Sequence, residues 1–296
     1  MRPLRALLIY LAFVFIGGAL LAPWLYWLAQ STAPHLPWLK NLAAAPFHRF
    51  EDRAFLICAL AGLWPLLRQL GAVSWHEVGM VKPAANWKKT LVGFLAGAGS
   101  LALVIGLALA FGGRVLNPGL AGAVLAKKIL GALLTAAVVA VLEEILFRGG
   151  IFGGLRKVFD WRFALVLSSA AYALVHFLER ADLPGEVTWS SGLKLLPLML
   201  RGFTDAQVLI PGFFSLTLAG GLLALAYQRT GDLNFSIGLH AGWVFCIKLS
   251  GVLTALGASG AWFWGTGKLF DGWMAFLVLV ALVPVFVRFL PKKTYP

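Results

Sequence analysis

Residues 129–159 read ILGALLTAAVVAVLEEILFRGGIFGGLRKVF. From Ile129 to Leu142 the stretch holds only Ala, Val, Leu, Ile, Gly and Thr, and it turns apolar again at once after Arg148. A helix crossing the hydrocarbon core of a bilayer needs about 20 mostly apolar residues, and this run has the length. Inside it sit Glu143, Glu144 and Arg148. Charge at such a depth is costly and marks function by default. The stretch therefore predicts both the class of fold and the place to look for chemistry.

The rest of the chain agrees with a lipid environment. Of 296 residues, 60% are hydrophobic and 12% charged, and mean hydropathy is +0.85. A soluble domain carries roughly 45–50% apolar and about 25% charged residues. Eight runs are long or apolar enough to span: Ala6–Leu28, Ala54–Val73, Thr90–Phe111, Ile129–Phe159, Phe163–Leu178, Val208–Tyr227, Asn234–Leu256 and Phe270–Leu290. We expect an all-α polytopic membrane bundle of about eight helices, folded as a single membrane-embedded domain over residues 1–296. The N-terminal run, Ala6–Leu28, exceeds the roughly 7–15 apolar residues of a signal peptide and reads as the first span.

The net charge of +13 is scattered through short loops, a pattern of membrane topology and anionic lipid; no nucleic-acid partner is expected. Counting Lys and Arg at the span ends favours cytoplasmic N- and C-termini in the cell membrane, by fourteen to ten. Tryptophans such as Trp24, Trp75 and Trp87 suit the interfacial belts. Gly93-x-x-x-Gly97, Gly149-x-x-x-Gly153 and Gly150-x-x-x-Gly154 would permit close helix approach. Cys58 and Cys246 lie in apolar runs and read as small hydrophobes.

Glu144 and Arg148 are spaced i,i+4 on one helix face and can pair. That pairing would leave Glu143, about 100° away, for a different role. His176 lies in SSAAYALVHF, residues 168–177, one turn after Tyr172; His240 lies in NFSIGLHAGW, residues 234–243. Counted at 1.5 Å per residue, Glu143 and His176 each fall ~21 Å from the turn that joins their helices, and His240 ~12 Å from its own. A carboxylate shielded from bulk water can act as a general base toward water, and histidines can stabilise an oxyanion or bind a metal. Glu143, His176 and His240 could thus hold a divalent metal such as zinc or work without one.

Glu143-Glu144-x-x-x-Arg148, Tyr172-x-x-x-His176 and His240, in that order, resemble the CAAX prenyl protease and bacteriocin-processing (CPBP) family, also called Abi-related. These are eight-helix intramembrane peptidases with glutamic or metal-assisted mechanisms proposed. The resemblance covers roughly residues 129–248, which it marks as a catalytic core. It implies that Glu143 activates water with support from Glu144 and Arg148. It further implies that His176 polarises that water, that His240 serves the oxyanion, and that the substrate is a peptide or protein. Two positions depart from the pattern: Tyr172 stands where Phe is usual, and Val244 where Asn or Asp follows the last histidine. Ser236 and Asn234 are the nearby polar residues that could substitute. The departure at Val244 keeps a non-catalytic immunity or scaffold protein open as an alternative, and a proton-coupled transporter would use the same residue types.

Overall fold

Long apolar runs satisfy their backbone hydrogen bonds internally only as helices when lipid replaces water, and the computed structural model is 76% helical. It describes residues 2–36, 39–72, 74–119, 122–182, 185–258 and 260–290. In chain order, α1 (Arg2–Ala12) continues through a π-helical segment (Phe13–Gly17) into α2 (Gly18–Thr32), followed by the short α3 (Lys40–Ala43). Next come α4 (Phe47–Gln69), α5 (Pro83–Ala110) and strand β1 (Arg114–Leu116). Helix α6 (Gly122–Glu144) runs into a second π-helical segment (Ile145–Phe152) and then α7 (Gly153–Leu155), before α8 (Trp161–Val175) and α9 (Ser191–Met199). The chain closes with α10 (Ala206–Thr230), α11 (Asn234–Leu253), β2 (Thr254–Leu256), α12 (Ala261–Trp264) and α13 (Trp273–Phe289).

The protein is a polytopic helical membrane bundle. Five continuous helical stretches are long and apolar enough to cross a bilayer, α8 and α13 are shorter apolar helices, and α4 accounts for the remaining expected run. Trp24, Trp75 and Trp87 are exposed, as interfacial residues should be. The second expected span ended at Val73, which lies outside the described residues. Helix ends differ from expectation by several residues, as three of them show. Helix α8 stops at Val175, not Leu178; α11 stops at Leu253, and its expected tail pairs as β2 with β1. The third, α13, starts at Trp273 rather than Phe270.

The described residues group into two compact units: residues 1–71 with 176–205, and residues 72–175 with 206–296. In the first, α2 packs on α4 and α9, around Ala22, Phe47, Ala54, Ala181 and Leu195. Gly18 and Gly192 make these contacts close: a Cβ on Gly18 would lie 2.4 Å from Phe55, and one on Gly192 2.1 Å from the Ala19 carbonyl oxygen.

The second unit is built on α11, which packs against both α5 and α6. Its contact with α5 is a reciprocal glycine seam. A Cβ on Gly93 would lie 2.3 Å from the Phe235 oxygen and one on Gly97 2.2 Å from the Leu239 oxygen. From the other side, a Cβ on Gly238 would lie 2.0 Å from the Thr90 oxygen and one on Gly242 2.3 Å from the Phe94 oxygen. Four glycines, two per helix, thus bring backbone onto backbone. Of the other expected glycine pairs, Gly149 makes a tight approach, its Cβ position 2.7 Å from the Val78 oxygen. Alanine at Gly97 or Gly242 should force the helices apart and lower stability by about 1–3 kcal/mol, read as a drop in thermal unfolding temperature in detergent.

Ahead of the apolar run in α4, Glu51 is buried, and its Oε1 has no partner among the described residues. Burial, and secondarily the neighbouring Asp52, pushes its carboxyl up from the ordinary 4.5 to about 8. The fold therefore holds the extra proton that an unfolded chain releases. This contribution is complete below pH 4.5 and is lost as pH rises through about 8. Melting temperature should fall between pH 5 and 9, and Glu51→Gln should flatten that dependence.

Candidate active site

The site is assembled by small residues. On α6, Ala136 and Ala140 pack against Ala241 of α11, so one turn further along α6 the α11 surface is within reach of Glu144. There His240 Nδ1–H donates to Glu144 Oε1 at 2.8 Å. The same oxygen accepts from Arg148 Nη1 at 2.9 Å. All three side chains are buried, Glu144 completely. With Nδ1 committed to Glu144, the other ring nitrogen of His240 faces Glu143, Nε2 to Oε2 being 3.7 Å. A carboxylate that accepts from one imidazole nitrogen fixes the ring and aims the other nitrogen. Glu143 is the more accessible of the two acids, its side chain 29% exposed.

Arg148 owes its position to the π-helical segment that begins at Ile145. A π turn closes i→i+5 rather than i→i+4, which widens the helix here. The guanidinium lies 4.4 Å from the centre of the Tyr172 ring and donates through Nη2 to the Gly220 carbonyl at 3.4 Å. Tyr172 also meets Phe147 and His240 edge-to-face, at 5.1 and 6.1 Å. It reaches Arg148 because α8 lies against α10 at Gly220, where a Cβ would stand 3.0 Å from Ser169. Tyrosine keeps the ring that phenylalanine would supply, and a ring face is what the cation needs.

Glu143, Glu144, Arg148 and His240 thus come together within the second unit, with Tyr172 and Gly220 as partners that spacing alone did not reveal. The depth count set His240 shallower than Glu143. The difference has a physical cause: the turn before α11 is itself buried. Asp232, Leu233 and Asn234 are buried, and Leu233 N–H donates to the Gly79 oxygen at 2.9 Å. The count for His240 therefore starts below the surface.

His176 belongs to the first unit and sits in the turn just after α8. The segment that follows is drawn to its neighbours there. Glu179 N–H donates to the Met199 oxygen at 2.9 Å, Arg180 pairs with Asp52 at 2.8 Å, and Asp182 pairs with His48 at 2.7 Å. They hold the segment that follows the helix, which ends at Val175, earlier than its apolar pattern suggests.

Val244 packs with the alanines of α6 and α11, beside Phe94, Ile237 and Phe245. Neither suggested substitute is available to replace the missing amide. Ser236 donates to the Leu233 oxygen at 3.1 Å, and Asn234 Nδ2 donates to Asp232 Oδ1 at 3.0 Å, so both serve the start of α11. Among the described residues, no three His, Cys, Asp or Glu side chains are gathered closely enough to hold a metal ion. Catalytic zinc takes three protein ligands; on His240 the nitrogen open to such a role is Nε2, since Nδ1 is held by the Glu144 carboxylate.

Fold and site together describe a multi-pass membrane protein with a buried acid–histidine centre. Residues 125–246 match the family model of type II CAAX prenyl endopeptidase Rce1-like proteins. The matched stretch runs from α6 into α11 and takes in Glu143, Glu144, Arg148, Tyr172, His176 and His240. The match is to a family of CAAX prenyl endopeptidases and covers residues 125–246 alone. No curated protein and no solved structure matches the chain significantly.

Removing Arg148 would strand a buried carboxylate, a loss worth about 3–5 kcal/mol. Arg148→Met should destabilise by that amount, whereas Glu144→Gln/Arg148→Met should cost less than the single arginine change. Arg148→Lys should not restore stability, since lysine lacks the planar fork that serves Glu144, Gly220 and Tyr172 together. Thermal unfolding of the four proteins in detergent checks all three statements.

Proposed function

We propose that the protein is an intramembrane endopeptidase that hydrolyses a peptide bond near or within the membrane through glutamate-activated water. The observation that carries this reading is the pair Glu143–His240, held 3.7 Å apart with the imidazole fixed from behind by Glu144. The family match supports the same reaction class.

In this mechanism Glu143 removes a proton from a water molecule as its oxygen attacks the scissile carbonyl carbon. The proton then passes from Glu143 to the leaving amine nitrogen when the C–N bond breaks. His240, with Nδ1–H on Glu144, presents Nε2 to the developing oxyanion and donates to it as an imidazolium. Glu144 and Arg148 act through His240 by holding the ring. His176 is the proposed second group on the water, and residues 129–248 the catalytic core. In the cell membrane, with both termini cytoplasmic, the substrate is a membrane-associated peptide or protein.

A zinc reading would assign Glu143, His176 and His240 as ligands, and adding zinc to chelator-treated protein would then restore cleavage. Val244 motivates the other reading, a non-catalytic scaffold, because apolar packing occupies the place of the expected amide.

The deciding experiment compares membrane proteomes of cells expressing wild type, Glu143→Gln or His240→Ala at matched levels. New protein termini should appear with wild type alone, with each variant reduced by about 10²–10⁴-fold. Identical termini in all three strains would leave the scaffold reading. Solute flux in liposomes without any cleavage would favour a transporter.

A further inference from the structure

In the first unit, α1 and its π-helical continuation run antiparallel to α4, tied by Tyr10 O–H donating to the Ala59 oxygen at 3.1 Å. Between them lies a cleft of about 220 Å³, lined by Ala6, Ile9, Phe13, Gly62, Pro65 and Gln69 among others. Gly62 keeps the floor low, since a Cβ there would stand 3.1 Å from both Tyr10 and Phe13. Ile9 and Phe13 are 53% and 46% exposed, so the cleft opens on the side that meets lipid. A second cleft of about 470 Å³ continues from it, sharing Ala6, Ile9 and Gln69 and adding Arg5. An apolar trough of ~12 Å, from Arg5 to Phe13, thus ends in a polar mouth.

The charge at that mouth is one-sided. No Asp or Glu occurs in residues 1–50 or 54–76. Arg5 makes no ion pair or hydrogen bond among the described residues, and Arg68 lies beside Gln69 in the chain. The acids of α4, Glu51 and Asp52, sit at its opposite end, ~26 Å away along the helix axis. The mouth therefore presents a guanidinium and an amide at the end of an acyl-sized trough, and Arg5 has no carboxylate partner among the described residues.

We propose that this cleft binds one anionic phospholipid, its phosphate on Arg5 and Gln69 and one acyl chain along Ile9, Phe13 and Gly62. Guanidinium and phosphate form charge-assisted hydrogen bonds with a geometric match. A zwitterionic lipid fills the trough equally well, but its own cation offsets the charge. The site is separate from the acid–histidine centre and does not depend on proteolytic activity.

The test is native mass spectrometry of the purified full-length protein in detergent. It is titrated with dioleoyl phosphatidylglycerol or dioleoyl phosphatidylcholine. Wild type should retain one phosphatidylglycerol with about fivefold preference, the worth of one basic side chain near an anionic lipid surface. Arg5→Gln should erase the preference, and Ile9→Trp, which fills the trough from the lipid side, should abolish retention of both lipids. The two variants probe separate halves of the site, so misfolding of one leaves the other decisive. Equal preference in wild type and Arg5→Gln would overturn the proposal. So would an equal loss of preference in Arg162→Ala, a control in the other unit, because the effect would then be diffuse charge.

Discussion

One carboxylate oxygen organises the centre of this protein. Glu144 Oε1 accepts from Arg148 and from His240 at once, in a place that water does not reach. A carboxylate there would cost several kcal/mol alone, and two donors on one oxygen offset that cost only while both stay in place. The π-helical segment, the Tyr172 ring and the Gly220 carbonyl all position Arg148, and the glycine seam with α5 positions the helix that carries His240. Much of the second unit can be understood as the support this one contact requires. The geometry then leaves Glu143, the neighbouring acid, on a different side of the helix, with access that Glu144 lacks.

The contact also explains an apparent redundancy in sequence. Two adjacent glutamates are not duplicates when a single residue step along the helix separates their directions by about 100°. One is buried and spends its charge on structure. The other keeps a side chain that is 29% exposed beside the free edge of an oriented imidazole. Environment, rather than residue type, divides the labour.

Much of this was legible beforehand. The apolar runs locate the helices, because length and hydropathy decide the matter in lipid, and the i,i+4 spacing of Glu144 and Arg148 foretells their pair. What spacing could not show is anything dependent on a neighbouring helix. The Gly220 carbonyl is a backbone acceptor with no signature of its own. The π turn after Glu144 follows from packing, since its residues are ordinary helix formers and glycines. The buried turn at Asp232–Asn234 looks polar, hence superficial, and misplaces His240 by its depth. The segment after α8 pairs with α4 through Arg180 and Asp182, whose partners lie more than a hundred residues earlier in the chain. The eight expected helices needed only local information; the last turns before and after them needed the fold.

The glycine seam between α5 and α11 has a mechanical corollary. Shifting one helix along the other by a single residue would bring a Cβ of Leu, Ala or Phe onto a carbonyl where glycine now sits. The two helices share one permitted register, like notched rails. α11 cannot work as a piston, and His240 keeps a fixed height relative to α5 throughout any cycle. Whatever opens to let a ligand approach must therefore move outside that pair.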